Sequence, residues 1–309
     1  MSIVERAADM LASFPQAFRK PPAASPGPAT PGQDAIERAL DAQNPRTEYA
    51  VDRNIAPGPD GRSAQSGGKA SRAPLKIDHD RLRQQSIITP DGARSQIGDS
   101  FRRVKRQILA NVANPGAAAA TNLVMVTSSL PGEGKTFCAA NLAISIAMEM
   151  DRTVLLVDAD VARPSVPRTL GVEVGKGLLD VLLDPSIDLA DVMCRTDIEK
   201  LSILPAGTGH QHANELLASD RMRALIEEMA KRYHDRVIIF DSPPLLAATE
   251  ASVLATHMGQ IIMVVEAGRT TEPELKEALR GIESCNIVGV LLNKGGAPST
   301  GYYYGAYGA

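Results

Sequence analysis

Leu123-Val124-Met125-Val126-Thr127-Ser128-Ser129-Leu130-Pro131-Gly132-Glu133-Gly134-Lys135-Thr136 is the stretch on which the reading of this chain turns. It begins as a short apolar run, passes through a glycine-rich turn and opens the helical pattern Lys135 to Met150. Strand, turn and helix in that order are the context a P-loop needs. Glycines let backbone N–H groups converge on phosphate oxygens, and the helix start adds partial positive charge. Lys135 reaches the outer phosphates, and the Thr136 hydroxyl can ligate Mg²⁺. Pro131, Gly132, Glu133, Gly134, Lys135, Thr136 and Phe137 are therefore the expected nucleotide-binding residues, with ATP and Mg²⁺ as the ligands. The usual pattern begins with Gly where Ser129 stands, so the match is one residue short.

Working outward, further apolar runs occur at Thr153 to Val157, Leu201 to Leu204, Arg236 to Phe240, Gln260 to Val265 and Ile287 to Leu292. Helical stretches separate most of them: Leu178 to Leu183, Asn214 to Tyr233, Glu250 to Met258 and Glu272 to Ser284. Strands alternating with helices predict an α/β fold: a doubly wound, mostly parallel sheet with helices on both faces, of the P-loop NTPase type. Upstream, Asp99 to Leu109 reads as a helix with Phe101, Val104, Ile108 and Leu109 on one face and a basic opposite face.

Two strand ends carry carboxylates. Val154 to Val157 leads into Asp158-Ala159-Asp160, and Val237 to Phe240 ends in Asp241. Open α/β sheets bind ligands at such carboxyl ends. Of Asp158 and Asp160, either can serve the Mg²⁺ shell while the other takes a proton. Asp241 fits the Walker B position, bonding Mg²⁺-bound water. Asn293, at the end of Leu291-Leu292-Asn293-Lys294, is either an adenine-edge contact or a turn residue. His210 and His212 sit in a Gly-rich loop and read as a solvated turn.

Of 309 residues, 44% are hydrophobic, which permits a sizeable core. The formal net charge of −3 gives no argument for nucleic-acid binding. Three widely spaced cysteines fit a reducing compartment, and the N-terminus lacks a signal-peptide pattern, so a cytoplasmic location is expected. Residues 1–14 can form an amphipathic helix that either packs on the body or docks on a partner or membrane. Residues 15–74 are rich in Pro, Gly and Ser and read as a disordered linker. Residues 75–300 form the expected catalytic domain, and 301–309 a flexible tail holding Tyr302, Tyr303, Tyr304 and Tyr307.

Taken jointly, SSLPGEGKT (128–136), DADVARP (158–164), FDSPP (240–244), LPAG (204–207), NELLAS (214–219), LLNK (291–294) and the terminal tyrosines resemble one family. The chain from about 75 to 309 is similar to the bacterial tyrosine kinases of exopolysaccharide and capsule export, in their freestanding, exosortase-associated form. The resemblance implies autophosphorylation on tyrosine in trans. Asp158 then accepts the tyrosine proton, Asp160, Asp241 and Thr136 organise Mg²⁺, and Lys135 stabilises the transferring group. Tyr302, Tyr303, Tyr304 and Tyr307 become the phosphoacceptors. It also implies a homo-oligomer or ring, a membrane polysaccharide chain-length regulator as activator, a tyrosine phosphatase as counterpart, and a peripheral position at the inner membrane. The family's ring motif E-x-x-R-x-x-R falls on Asp99, Arg102 and Lys105, both outer residues being substituted. Two further departures are Ala162, where Arg is usual, and Glu250, where Asp is frequent. The rival reading is a partitioning or cell-division ATPase switch of the deviant P-loop class. Leu130 stands where that class carries its second lysine, which counts against it.

Overall fold

The computed structural model describes residues 73–114, 120–285 and 287–295. The expected N-terminal helix, nearly all of the linker and the tyrosine tail lie outside the described residues.

In chain order the elements are α1 (His79–Gln84), α2 (Gln96–Val112), β1 (Leu123–Ser128), α3 (Lys135–Ala147), β2 (Thr153–Asp158), α4 (Val166–Leu170), α5 (Leu178–Leu183), α6 (Leu189–Val192), β3 (Cys194–Arg195), β4 (Leu201–Leu204), α7 (Ala213–Leu217), α8 (Asp220–Arg232), β5 (Arg236–Asp241), α9 (Thr249–Ala255), β6 (Gln260–Glu266), α10 (Glu272–Arg280) and β7 (Val288–Asn293). The strands form one sheet in the order β3-β4-β2-β5-β1-β6-β7. Every pairing is parallel except that of β3 with β4.

Parallel strands joined by helices must be covered on both faces, so their residues are apolar without alternation. All residues of β1 are buried. Val124, Val126, Val154, Leu156, Val237 and Ile239 pack into a layer with α1 to α4. Leu123, Met125, Leu155, Val157, Ile238 and Phe240 pack into the opposite layer with α5 to α10. Neighbouring strand residues thus serve two cores, and the sheet is the shared wall. The order also sets the carboxyl ends of β2, β5 and β1 side by side, with Asp158 opposite Asp241 in the β2–β5 register. That edge is where the functional side chains gather.

Several expectations need correction. The helix expected over Asn214 to Tyr233 is two helices, α7 and α8. Ser219 divides them: its extended backbone ends one, and its hydroxyl caps the next by accepting the Met222 N–H at 3.2 Å. On α2, Phe101 and Ile108 are buried as expected, but so is Lys105. Its ammonium lies 2.5 Å from Glu149 and donates to the Ser145 carbonyl at 3.1 Å. A charge held inside the protomer does not belong to a solvated basic face. Arg102 pairs with Asp99 of the same helix at 2.5 Å. The short elements α1, α4, α6 and β3 had no periodic signal long enough to read.

Candidate nucleotide and phosphoryl-transfer site

Past β1 the chain turns through Leu130 to Gly134 and enters α3 at Lys135. Gly132 and Gly134 take φ of +87° and +97°, a region that side chains other than glycine's disfavour. The first α3 N–H with a loop or helix carbonyl is that of Cys138, bonded to Gly134 at 3.0 Å. The N–H groups ahead of it are the orphan donors of a helix start, suited to phosphate oxygens. Pro131 is exposed at the turn. Phe137 has its ring against Phe101, with centroids 6.2 Å apart in a T-shaped pair, so its offering to a phosphate is its backbone.

Lys135 is buried, and its Nζ lies 3.6 Å from Asp160. The Thr136 hydroxyl donates to Asp241 at 2.6 Å and sits 2.7 Å from Ser165 Oγ. Asp158 is fully buried, and one of its oxygens accepts the N–H groups of Ser165 and Val166, both at 2.9 Å. Asp160 accepts the Arg163 N–H at 3.2 Å. The structure thus draws Lys135, Thr136, Asp158, Asp160 and Asp241 into one cluster.

Burial is the main force on the two innermost carboxyls. It pushes Asp158 up to about 7 against the pull of two backbone N–H groups, with the Asp160 charge adding to the rise. It pushes Asp241 up to about 8, helped by the Asp158 charge and opposed by the Thr136 hydroxyl and Lys135. Asp158 Oδ1 and Asp241 Oδ1 are buried without a hydrogen-bond partner. Crowded carboxylates with unpartnered oxygens beside the Thr136 hydroxyl are a donor set for a hard divalent cation, and Mg²⁺ fits it. Among the described residues no three His, Cys, Asp or Glu side chains form a metal cage. Mg²⁺ in such sites is held by one or two carboxylates plus substrate phosphates, so a cage is not required.

Asn293 donates its amide to the Glu133 carbonyl at 2.8 Å, a loop-bracing contact that the sequence reading left out. Lys294 does the same for the Gly132 carbonyl at 2.8 Å. Ser165, Thr270 and Glu266 were also missed. Ser165 lies next to DADVARP, but its approach to Thr136 is made by the α4 turn and has no local signature.

The family model described as an AAA domain matches residues 121–284. The tyrosine-protein kinase YwqD of Bacillus subtilis is 30% identical over 227 residues, which are 73% of this chain and 92% of that one. This chain belongs to the bacterial tyrosine-kinase family. Its likeness to the kinase domain of the Escherichia coli tyrosine kinase ETK has a TM-score of 0.61 at 28% identity, over 75% of this chain and 93% of that domain. ExoP of Rhizobium meliloti, a succinoglycan biosynthesis transport protein, is 34% identical over 71% of this chain but only 27% of its own length. The region matched in ExoP is thus about a quarter of that protein. Among the described residues no helix is long and apolar enough to cross a membrane.

Proposed function

We propose that the chain is an ATP-dependent protein-tyrosine kinase that phosphorylates the tyrosines of its own C-terminal tail, one protomer acting on another. The supporting observation is the cluster of Lys135, Thr136, Asp158, Asp160 and Asp241 at the carboxyl ends of β1, β2 and β5, in a member of this kinase family. A tyrosine phenol oxygen forms a bond to the γ-phosphorus of ATP, the bond from that phosphorus to the β-bridging oxygen breaks, and ADP leaves with the electron pair. The phenol proton passes to Asp158, whose burial raises it toward neutral pH, where a base is most effective. Lys135 stabilises charge on the transferring group, and Thr136, Asp160 and Asp241 hold Mg²⁺. When bound, that ion neutralises charge on the phosphate oxygens.

Each phosphate adds roughly −1.5 to −2 charges, so a multiply modified tail would repel itself and the acidic site and be released. We further propose that this cycle regulates exopolysaccharide assembly or export at the inner membrane, with a separate membrane chain-length regulator as activator, a tyrosine phosphatase as its reverse, and a homo-oligomer, in ring form, as the acting state. ExoP's name, which couples a related chain to succinoglycan transport, supports the polysaccharide part.

The test is incubation of the purified chain with ATP and Mg²⁺, followed by mass spectrometry of the tail. Wild type should carry phosphotyrosine at Tyr302, Tyr303, Tyr304 or Tyr307. Lys135→Met should lose at least ~10²-fold of it while keeping the wild-type circular dichroism. A variant with all four tail tyrosines changed to Phe should lose most incorporation. Retained phosphotyrosine in Lys135→Met overturns the site, equal incorporation in the Phe variant puts the acceptor elsewhere, and ATP turnover with an unmodified tail supports an ATPase switch.

A further inference from the structure

Glu133 is an acid inside a loop whose task is to receive phosphates. Free to swing, its carboxylate would repel them. It is instead fully buried and tied at both oxygens. One accepts the Leu130 N–H at 2.8 Å, and the other accepts the hydroxyl of Thr270. Thr270 lies in the turn after β6, 137 residues away along the chain. The hydroxyl has one proton to give. Its oxygen already accepts the Glu266 N–H at 3.0 Å, so the proton is directed to Glu133.

Two more brackets come from the end of β7. Asn293 holds the Glu133 carbonyl and Lys294 the Gly132 carbonyl, each at 2.8 Å. A trans peptide is planar, with its C=O and N–H pointing in opposite directions. Drawing the Gly132 and Glu133 carbonyls toward β7 therefore turns the N–H groups of Glu133 and Gly134 away from it. Lys294 and Arg269 both pair with Glu266, at 3.1 and 3.0 Å, which ties the brackets to one another.

We propose that Thr270 is a positioning residue for nucleotide binding: through the Glu133 carboxylate it keeps the loop's one negative charge at the rear and its N–H donors facing the phosphates. This rests on the nucleotide-site reading above and is independent of which tyrosine is modified.

The experiment measures Mg²⁺–ATP affinity, by titration of a fluorescent ATP analogue, on wild type, Thr270→Val, Thr270→Ser, Glu133→Gln and the Val/Gln double variant, with thermal unfolding alongside. Thr270→Val should weaken binding about tenfold, the scale of one lost charge-assisted hydrogen bond. Thr270→Ser, which keeps the hydroxyl, should bind within about twofold of wild type. Glu133→Gln should also weaken binding, and the double variant should be no weaker than the worse single one, because both act through one contact. Wild-type affinity in Thr270→Val, or losses that multiply in the double variant, would overturn the proposal. If Thr270→Val does not fold, Glu133→Gln decides: unchanged affinity there is fatal to the idea. Failure of wild type to bind the analogue would instead defeat the nucleotide-site reading itself.

Discussion

At Gly134 the backbone takes φ = +97°, and the amide of Asn293 occupies the space into which a β-carbon would project. Two independent costs therefore oppose any side chain there. The left-handed backbone alone costs a non-glycine residue about 1–2 kcal/mol. The amide of Asn293 would also have to leave the Glu133 carbonyl. Gly134→Ala should weaken Mg²⁺–ATP binding at least about tenfold, since 1.4 kcal/mol corresponds to one factor of ten. A fluorescence titration checks this, and wild-type affinity would show that the loop tolerates the displacement. At this scale much of the site was legible. Glycine spacing, Lys135, Thr136 and the strand-end Asp241 announce themselves locally, because backbone–phosphate chemistry dictates residue types at short range. Thr270 and Ser165 did not. Their roles come from turns brought to the loop by strands distant in sequence, and a lone Thr or Ser in a turn carries no such mark.

Among the elements, α5 depends on one side chain. Asp180 accepts the N–H of Gly177 at 2.7 Å and that of Thr208 at 3.0 Å, so it ties the start of α5 to the loop after β4. Burial alone would raise its pKa, but those N–H groups, the Thr208 hydroxyl and the nearby Lys176 outweigh it and hold the carboxyl below its ordinary value. Asp180→Ala should cost ~1–2 kcal/mol at neutral pH. A depressed folded-state pKa gives stability that is present above the unfolded-state value and lost as pH falls through the folded one. Chemical denaturation should therefore show the gap between wild type and variant narrowing below about pH 4. A gap that stays constant down to strongly acid pH would mean that the carboxylate charge contributes nothing. The expected long helix over Asn214 to Tyr233 failed for a related reason. Apolar periodicity runs across Ser219, and a cap is recognised only when its hydroxyl is seen to take the Met222 N–H.

For the whole molecule, the sheet is the wall common to two apolar layers, so damage at its centre should be felt by both. Phe240 on β5 is fully buried, with β2 and β1 on either side. It also immediately precedes Asp241. Phe240→Ala should cost ~3–5 kcal/mol, read from urea denaturation. Loosening the β5 end should also lower Mg²⁺–ATP affinity, because Asp241 is held by that strand. A large stability loss with unchanged nucleotide affinity would show that the site is insulated from the core.

Local chemistry alone specified the alternation of buried strands with helices, the phosphate-binding turn and the acids at two strand ends. Each of these rests on neighbours within a few residues: period, glycine at a strained φ, a lysine at a helix start. Tertiary structure decided the rest. Strand order set Asp158 beside Asp241, burial raised both carboxyls, and the ends of β6 and β7 closed around the back of the loop. It also turned Lys105 inward to Glu149. The reason is the range of the forces. Backbone preferences act over a handful of residues, whereas desolvation and side-chain hydrogen bonds depend on which distant segments packing brings within about 3 Å.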